Sequence, residues 1–321
     1  MQKALIIIFS VLGGLVALSI LIAMICFFMA FYASPRKKRN DDDEINFTFP
    51  LGGIYEPFRE SMVGWINQYR TFEHRDFEIK SHDGLTLRGR YFECQAGAPI
   101  EILFNGYRGD AERDMSGAIE RCFAMNRNAL IVNQRATGIS DGRVVTFGAK
   151  ERLDAKKWAE FVASEFGSEV PIILSGVSMG ATTVLLASAL ELPKNVVCIL
   201  ADCPYSTAEK IIKAVIKRDM HLPAKLLYPF VCLGARLFGG FKLSDANAQD
   251  AVKQSKLPTI FIHGDNDTFV PCEMSTELYN AKEGKKKLVF IKGAGHGLAF
   301  PVDKELYINS IIDFESEWKS K

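Results

Sequence analysis

Across its 321 residues this sequence has almost no surplus of charge: 39 lysines and arginines stand against 38 aspartates and glutamates, for a formal net charge of +1. Binding to nucleic acid needs a basic surplus, so no nucleic-acid partner is expected. The cysteines (Cys26, Cys94, Cys122, Cys198, Cys203, Cys232 and Cys272) are odd in number and scattered, with no pair spaced C-x-x-C. That pattern excludes a disulfide framework and a structural zinc site. The sequence also lacks a glycine-rich phosphate loop, a dinucleotide-binding fingerprint and a clustered set of metal ligands. No cofactor and no metal is expected.

Charge is missing altogether from residues 4–34, about 30 mostly apolar residues where about 20 suffice to cross a bilayer. A single transmembrane helix, tilted or protruding, is predicted there. A cleaved signal peptide is the rival reading, but the apolar region is about twice the usual length and the exit at Ala30, Phe31, Tyr32 and Ala33 has no clean small-x-small cleavage site. Cys26 follows Met24 and Ile25 rather than small residues, which argues against a lipoprotein anchor. Only Lys3 precedes the apolar run, whereas Arg36, Lys37, Lys38 and Arg39 follow it. Flanking cations resist translocation, so the remainder of the chain is predicted to face the cytoplasm. Free cysteines agree with that side.

The rest divides into a charged linker at residues 35–54 and one α/β domain at 55–321. An amphipathic helix is predicted over 55–69, with Phe58, Met62, Trp65 and Ile66 on one side, packing on the domain rim. Alternating residues around Ser81, His82, Asp83 and Gly84 predict an antiparallel hairpin. Beyond Pro99 short apolar runs alternate with helical stretches, which predicts a mostly parallel, doubly wound sheet. Strands are expected at 100–104, 129–132, 172–175, 196–201, 259–262 and 288–291, and helices at 113–125, 150–166, 179–190 and 303–319. Residues 205–257 are too long for a simple connection and read as two or three amphipathic helices forming a lid. Ile211, Ile212, Val215, Ile216, Leu226, Leu227, Tyr228, Phe230, Leu233 and Leu237 are expected to line its underside or pack it onto the domain.

Candidate chemistry centres on Gly176, Val177, Ser178, Met179 and Gly180, which follow an apolar strand and open a helix. Glycines two positions either side of a serine allow a turn tight enough to lift its hydroxyl above the sheet edge. Ligands of open α/β sheets bind beyond the carboxyl ends of the strands. Asp265 and Asp267 follow one later strand and His296 follows another, so the chain order is Ser, Asp, His. Asp202, after the strand at 196–201, is a further candidate acid.

Together with Asn105, Gly106, Tyr107, Asn133, Gln134, Arg135, Gly138, Ser140, the His263 to Pro271 segment and Gly293, Ala294, Gly295, His296, these motifs make the chain resemble the α/β-hydrolase superfamily from about Phe77 onward. Within it the chain resembles bacterial membrane-anchored hydrolases grouped with serine aminopeptidase-like and acyl-hydrolase proteins. The resemblance implies an α/β-hydrolase fold with a helical lid. It makes Ser178 the nucleophile, His296 the general base and Asp267 the acid that orients it, with Asp265 and Asp202 as alternatives. The oxyanion hole would come from the backbone amides of Met179 and Tyr107. His263 is expected to be a hydrogen-bonded residue of the strand end. Relatives carry histidine in place of Asn105, aspartate in place of Asn133, and Arg-Gly-His-Gly in place of Arg135 to Gly138. The implied activity is cleavage of small acyl esters. A peptidase on short peptides and a non-catalytic binding module on the same scaffold are the alternatives.

Overall fold

The structure, a computed structural model, describes residues 2–33 and 52–319. The cation cluster at 36–39 and most of the expected linker lie outside the described residues. Helix α1 (Gln2–Ala30) carries no charge after Lys3 and is mostly apolar from Ala4 onward. A short 3-10 turn at Glu56–Phe58 leads into α2 (Arg59–Thr71), which buries Trp65, Ile66 and Tyr69. The hairpin β1 (Arg75–Lys80) and β2 (Thr86–Phe92) turns at Gly84, whose φ of 89° suits only a residue without a Cβ.

The remaining strands are β3 (Ile100–Phe104), β4 (Asn128–Asn133), β5 (Ile172–Val177), β6 (Val196–Asp202), β7 (Thr259–Gly264) and β8 (Lys286–Ile291). They form an eight-stranded sheet in the order β1-β2-β4-β3-β5-β6-β7-β8. The pairs β1–β2 and β2–β4 are antiparallel and every other pair is parallel. This is the α/β-hydrolase architecture. Successive side chains leave the sheet on opposite faces. Ile102 and Phe104 enter one core with Leu130 and Val132, while Leu103 enters the opposite layer with Phe92 and Ile131.

Helices cover both faces: α3 (Ala111–Met115), α4 (Gly117–Ala124), α5 (Glu151–Glu165) and α6 (Met179–Ala187) connect the first strands, and α10 (Glu273–Ala281), α11 (Ala299–Val302) and α12 (Lys304–Lys319) the last. The single helix expected at 113–125 is two. Asp110 caps the first by accepting from the Arg113 amide at 2.8 Å, and the break at Ser116 brings Gly117 beneath Trp65, where a Cβ would lie 2.7 Å from the indole. The lid holds α7 (Ala208–Asp219), α8 (Ala224–Leu237) and α9 (Ala248–Gln254). Its two ends are pinned to each other by an antiparallel bridge between Thr207 and Asn247, residues that also cap α7 and α9. Ile211, Ile212 and Ile216 are buried as expected, but Leu226 and Leu237 face outward, 69% and 54% exposed.

The end of α1 does not stand apart from the domain. Its first part is exposed, but Ala23, Phe27 and Phe31 are buried at helical spacing, and Phe27 and Phe31 share the main core with Phe147, Phe241 and Tyr205. Tyr32 bridges to Val144, and the Val145 amide donates to Phe31 O at 2.8 Å. An expected boundary between an anchor ending at residue 34 and a domain beginning at 55 therefore separates residues that share one core. Phe31 is fully buried, with its ring edge-on to Phe147 and Phe241 at 5.7 and 5.2 Å. Phe31→Ala should destabilise the full-length protein in detergent by about 3–5 kcal/mol, and Phe28→Ala, at a half-exposed position, by under about 1 kcal/mol. Thermal or denaturant unfolding of the two variants checks this, and equal effects would contradict the shared core.

Candidate active site

Sterics at the end of β5 fix the position of Ser178. A Cβ on Gly176 would lie 2.3 Å from the Gly180 carbonyl carbon, and one on Gly180 only 2.0 Å from Phe104 O, so strand and helix can approach only through these two glycines. Ser178 itself is held at φ 54° and ψ −115°, a conformation that costs a non-glycine residue on the order of 1–3 kcal/mol. Its amide is fastened to Asp202 O at 2.8 Å, and α6 begins at the next residue. The strain is thus held by a strand on one side and a buried helix on the other.

Ser178 Oγ lies 3.0 Å from His296 Nε2, and His296 Nδ1 lies 2.7 Å from Asp267 Oδ2. Because the carboxylate can only accept, Nδ1 carries the proton and the Nε2 lone pair faces the serine hydroxyl. Asp267 is buried, and its other oxygen accepts from the amides of Phe269 and Val270 at 2.8 and 2.9 Å. Burial alone would raise this carboxyl, but hydrogen bonds from His263, His296 and the Val270 amide overturn that and hold it well below the ordinary carboxylate range. At neutral pH it is ionised.

The other two acids go elsewhere. Asp265 is exposed and accepts from the Gly293 amide at 2.6 Å, which ties the acid loop to the histidine loop. Asp202 accepts from the Tyr307 hydroxyl at 3.1 Å, and burial raises its carboxyl. Neither is hydrogen-bonded to His296. His263 is fully buried: its Nε2 sits 2.9 Å from Val270 O and 3.2 Å from Asp267 Oδ2, and its Nδ1 is 2.6 Å from Ser275 Oγ. A carbonyl can only accept, so Nε2 carries the proton and Nδ1 accepts from the serine; this tautomer is assigned from the network. His263 braces the rear of the same carboxylate oxygen that His296 uses.

The Met179 amide opens α6 and by position has no intrahelical acceptor. The Tyr107 amide makes no hydrogen bond among the described residues, whereas the neighbouring Gly106 amide is taken by Asp114 Oδ2 at 2.9 Å. The loop that carries Tyr107 is organised by the side chains that depart from the family pattern. Asn105, fully buried, donates to Gly106 O at 2.9 Å and accepts from the Gln134 amide at 3.2 Å, while Gln134 Nε2 donates to Asn105 O at 2.6 Å. Asn133 Oδ1 accepts from the Ala111 amide at 3.1 Å. Amide side chains thus rebuild the loop's hydrogen bonds.

Several residues near the site carried no sequence signal of that role. Phe269 packs on the His296 ring at 4.9 Å, and Arg218 of the lid sits over Phe269 while donating to Thr268 O and Phe269 O at 2.8 and 3.0 Å. Cys203, at φ 45°, places its thiol within 4.8 Å of the ligand atoms of Asp267 and His296. Burial pushes that thiol well above its ordinary range, so it is a neutral neighbour and a poor metal ligand. The other grouping of potential ligands, His82, Asp83 and Asp154, is spanned by the Arg135 guanidinium, which donates to both carboxylates. A cation already fills that place.

Comparisons with known proteins point to serine hydrolases and esterases. A family model described as serine hydrolase (FSH1) matches residues 234–305. The Bacillus subtilis (strain 168) uncharacterized protein YqkD is 22% identical over 315 residues, covering 98% of this chain and 97% of that protein. Among solved structures, the Pyrococcus furiosus esterase Pf2001 superposes with a TM-score of 0.62 and 26% identity, covering 78% of this chain and 93% of that one. Est1E from Butyrivibrio proteoclasticus, solved with ferulic acid, shares the fold at a TM-score of 0.57 and 19% identity, over 76% of this chain and 100% of that one. With the sheet order, the strained serine turn and these likenesses in view, the chain has the α/β-hydrolase fold and is an α/β-hydrolase enzyme similar to serine hydrolases and esterases.

Proposed function

We propose that the protein is a membrane-anchored hydrolase of carboxylic (acyl) esters, working through an acyl-enzyme on Ser178. The continuous chain from Ser178 Oγ through His296 to Asp267, with links of 3.0 and 2.7 Å, carries this reading. His296 Nε2 takes the hydroxyl proton as Oγ attacks the ester carbonyl. Asp267, ionised and gripped from behind by His263, holds the imidazole tautomer and stabilises the imidazolium. The carbonyl oxygen becomes an anion facing the amides of Met179 and Tyr107, which need no reorganisation to receive it. Collapse expels the alcohol, which takes the proton back from Nε2. Water then repeats the sequence on the acyl-enzyme and releases the acid.

Helix α1 is the one helix among the described residues long and apolar enough to span a membrane. The anchoring reading rests on its length and on the exposed apolar surface of its first part, and the predicted cytoplasmic orientation on the cations at 36–39. Ester rather than aminopeptidase chemistry is favoured because Asp114 is taken by Arg113 and the Gly106 amide, while Asp202, with one oxygen on Tyr307 and the other unpartnered, is buried and its carboxyl is raised toward the neutral form. A peptidase that recognises a free amino terminus would need an accessible, ionised carboxylate to bind it.

A fluorophosphonate probe should label full-length protein at Ser178, and Ser178→Ala should abolish labelling and lower ester turnover by about 10⁴-fold or more. A folded wild-type protein that takes no label would count against the proposal. If the variant kept its full cellular effect, a binding role would be favoured instead. Asp267→Asn should cost about 10⁴-fold in kcat, whereas Asp265→Asn and Asp202→Asn should each cost less than about tenfold. Steady-state kinetics of the three variants on one short-chain ester decides the acid, and a larger loss at either alternative would reassign it.

A further inference from the structure

The outward-facing side of the lid is apolar and basic, and it lies against the helix read as the anchor. Along α8, Gly234 meets α1 so closely that a Cβ would sit 2.4 Å from Ala23 O, and Phe238 meets Phe27 with ring centroids 5.8 Å apart. These contacts advance in the same direction on both helices. Helix α8 therefore runs roughly parallel to α1, and its N-terminal half points back toward α1's exposed apolar part.

That half, with the turn before it, presents Met220, Leu222 and Leu226 at 36%, 42% and 69% exposure, and Leu237 and Phe238 are exposed at the other end. Charge on this segment is one-sided in a chain that is otherwise balanced. Between residues 210 and 242 stand Lys210, Lys213, Lys217, Arg218, Lys225, Arg236 and Lys242, with Asp219 as the single acid. Lys217, Lys225, Arg236 and Lys242 are exposed and have no ion-pair partner among the described residues. Exposed apolar side chains flanked by unpaired cations are what an anionic lipid surface binds.

Depth agrees with this. At 1.5 Å per residue, about 20 residues of α1 cross a hydrocarbon layer of about 30 Å. Counted from Ala4, where the uncharged run begins, the layer ends near Ala23, the residue that meets Gly234.

We propose that this lid face docks on the anionic bilayer that α1 crosses, and that the substrate is accordingly a long-chain acyl ester resident in that bilayer. The inference rests on the anchored esterase reading above. The same lid reaches the site, since Arg218 bonds to Thr268 O and Phe269 O and Phe269 covers His296. Arg218 and the turn that follows it thereby connect the docked face to the loop that packs on His296.

Full-length protein is reconstituted in vesicles of roughly three parts phosphatidylcholine to one part phosphatidylglycerol, with or without brominated acyl chains. The fluorescence added by Leu226→Trp should be quenched by the brominated lipid, and that added by Ile312→Trp on α12 should not. In a second arm, the double variant Lys225→Glu, Leu226→Asp, both on the exposed face, should hydrolyse a water-soluble short-chain ester within about twofold of wild type. It should lose about tenfold or more on a long-chain ester held in the vesicles. An unquenched tryptophan at 226, or equal loss on both esters, overturns the docking proposal. Wild-type protein that turns over neither ester removes the esterase reading, and the quenching arm still decides the docking.

Discussion

Four donors converge on the buried carboxylate of Asp267, and the geometry of the site depends on that convergence. One oxygen is held by two backbone amides of its own loop, and the other is shared by the rings of His263 and His296. Such a group, ionised out of water, is stable only when its lone pairs are filled. Filling them dictates where the His296 ring must sit and which of its nitrogens is protonated. From there the position of Nε2 against Ser178 follows.

The serine turn supplies the other half of that contact. Ser178 stays in a strained conformation because β5, β6 and α6 leave no room for relaxation, and the glycines at 176 and 180 are the sole points where the backbones can pass. The loop that carries Tyr107 has a support of its own. Tyr107 Oη donates to Ala30 O at 2.7 Å, and Arg108 donates to Met29 O and Tyr32 O at 2.8 and 2.9 Å. Burial pushes the Tyr107 phenol up to about 12, so at neutral pH it stays protonated and a donor. Carbonyls at the end of α1, which no further helical turn can satisfy, are thereby met by the loop that carries Tyr107. Helix α1 and that loop are mechanically joined.

Much of this was legible in the sequence because it is written locally. The serine turn shows in two glycines, the parallel strands in short β-branched runs, and the candidate acid and base in the residues that follow β7 and β8. Even the replacement of the usual histidine by Asn105 reads as an amide that can remake the loop's bonds. What could not be read was packing between distant apolar surfaces. Phe27 and Phe31 differ in no local respect from the exposed Phe28, since all lie in one apolar run, and only tertiary contact with Phe147 and Phe241 separates them. For the same reason Leu226 and Leu237 read as the underside of a lid and lie on its outer face. The contact of His263 with Asp267 needed the turn of the 263–270 loop, which spacing alone does not give.

If the carboxylate, the imidazole and the hydroxyl act as one unit, the reaction must pass through a covalent ester on Ser178. Rapid mixing of the full-length enzyme with an ester, acid quench within the first turnover, and mass analysis of the peptide carrying Ser178 tests this most directly. The account predicts a peptide heavier by the mass of the acyl group, formed in a burst and lost at the steady-state rate. An enzyme that turns over the ester with Ser178 unmodified, or with the acyl group on another residue, would contradict it.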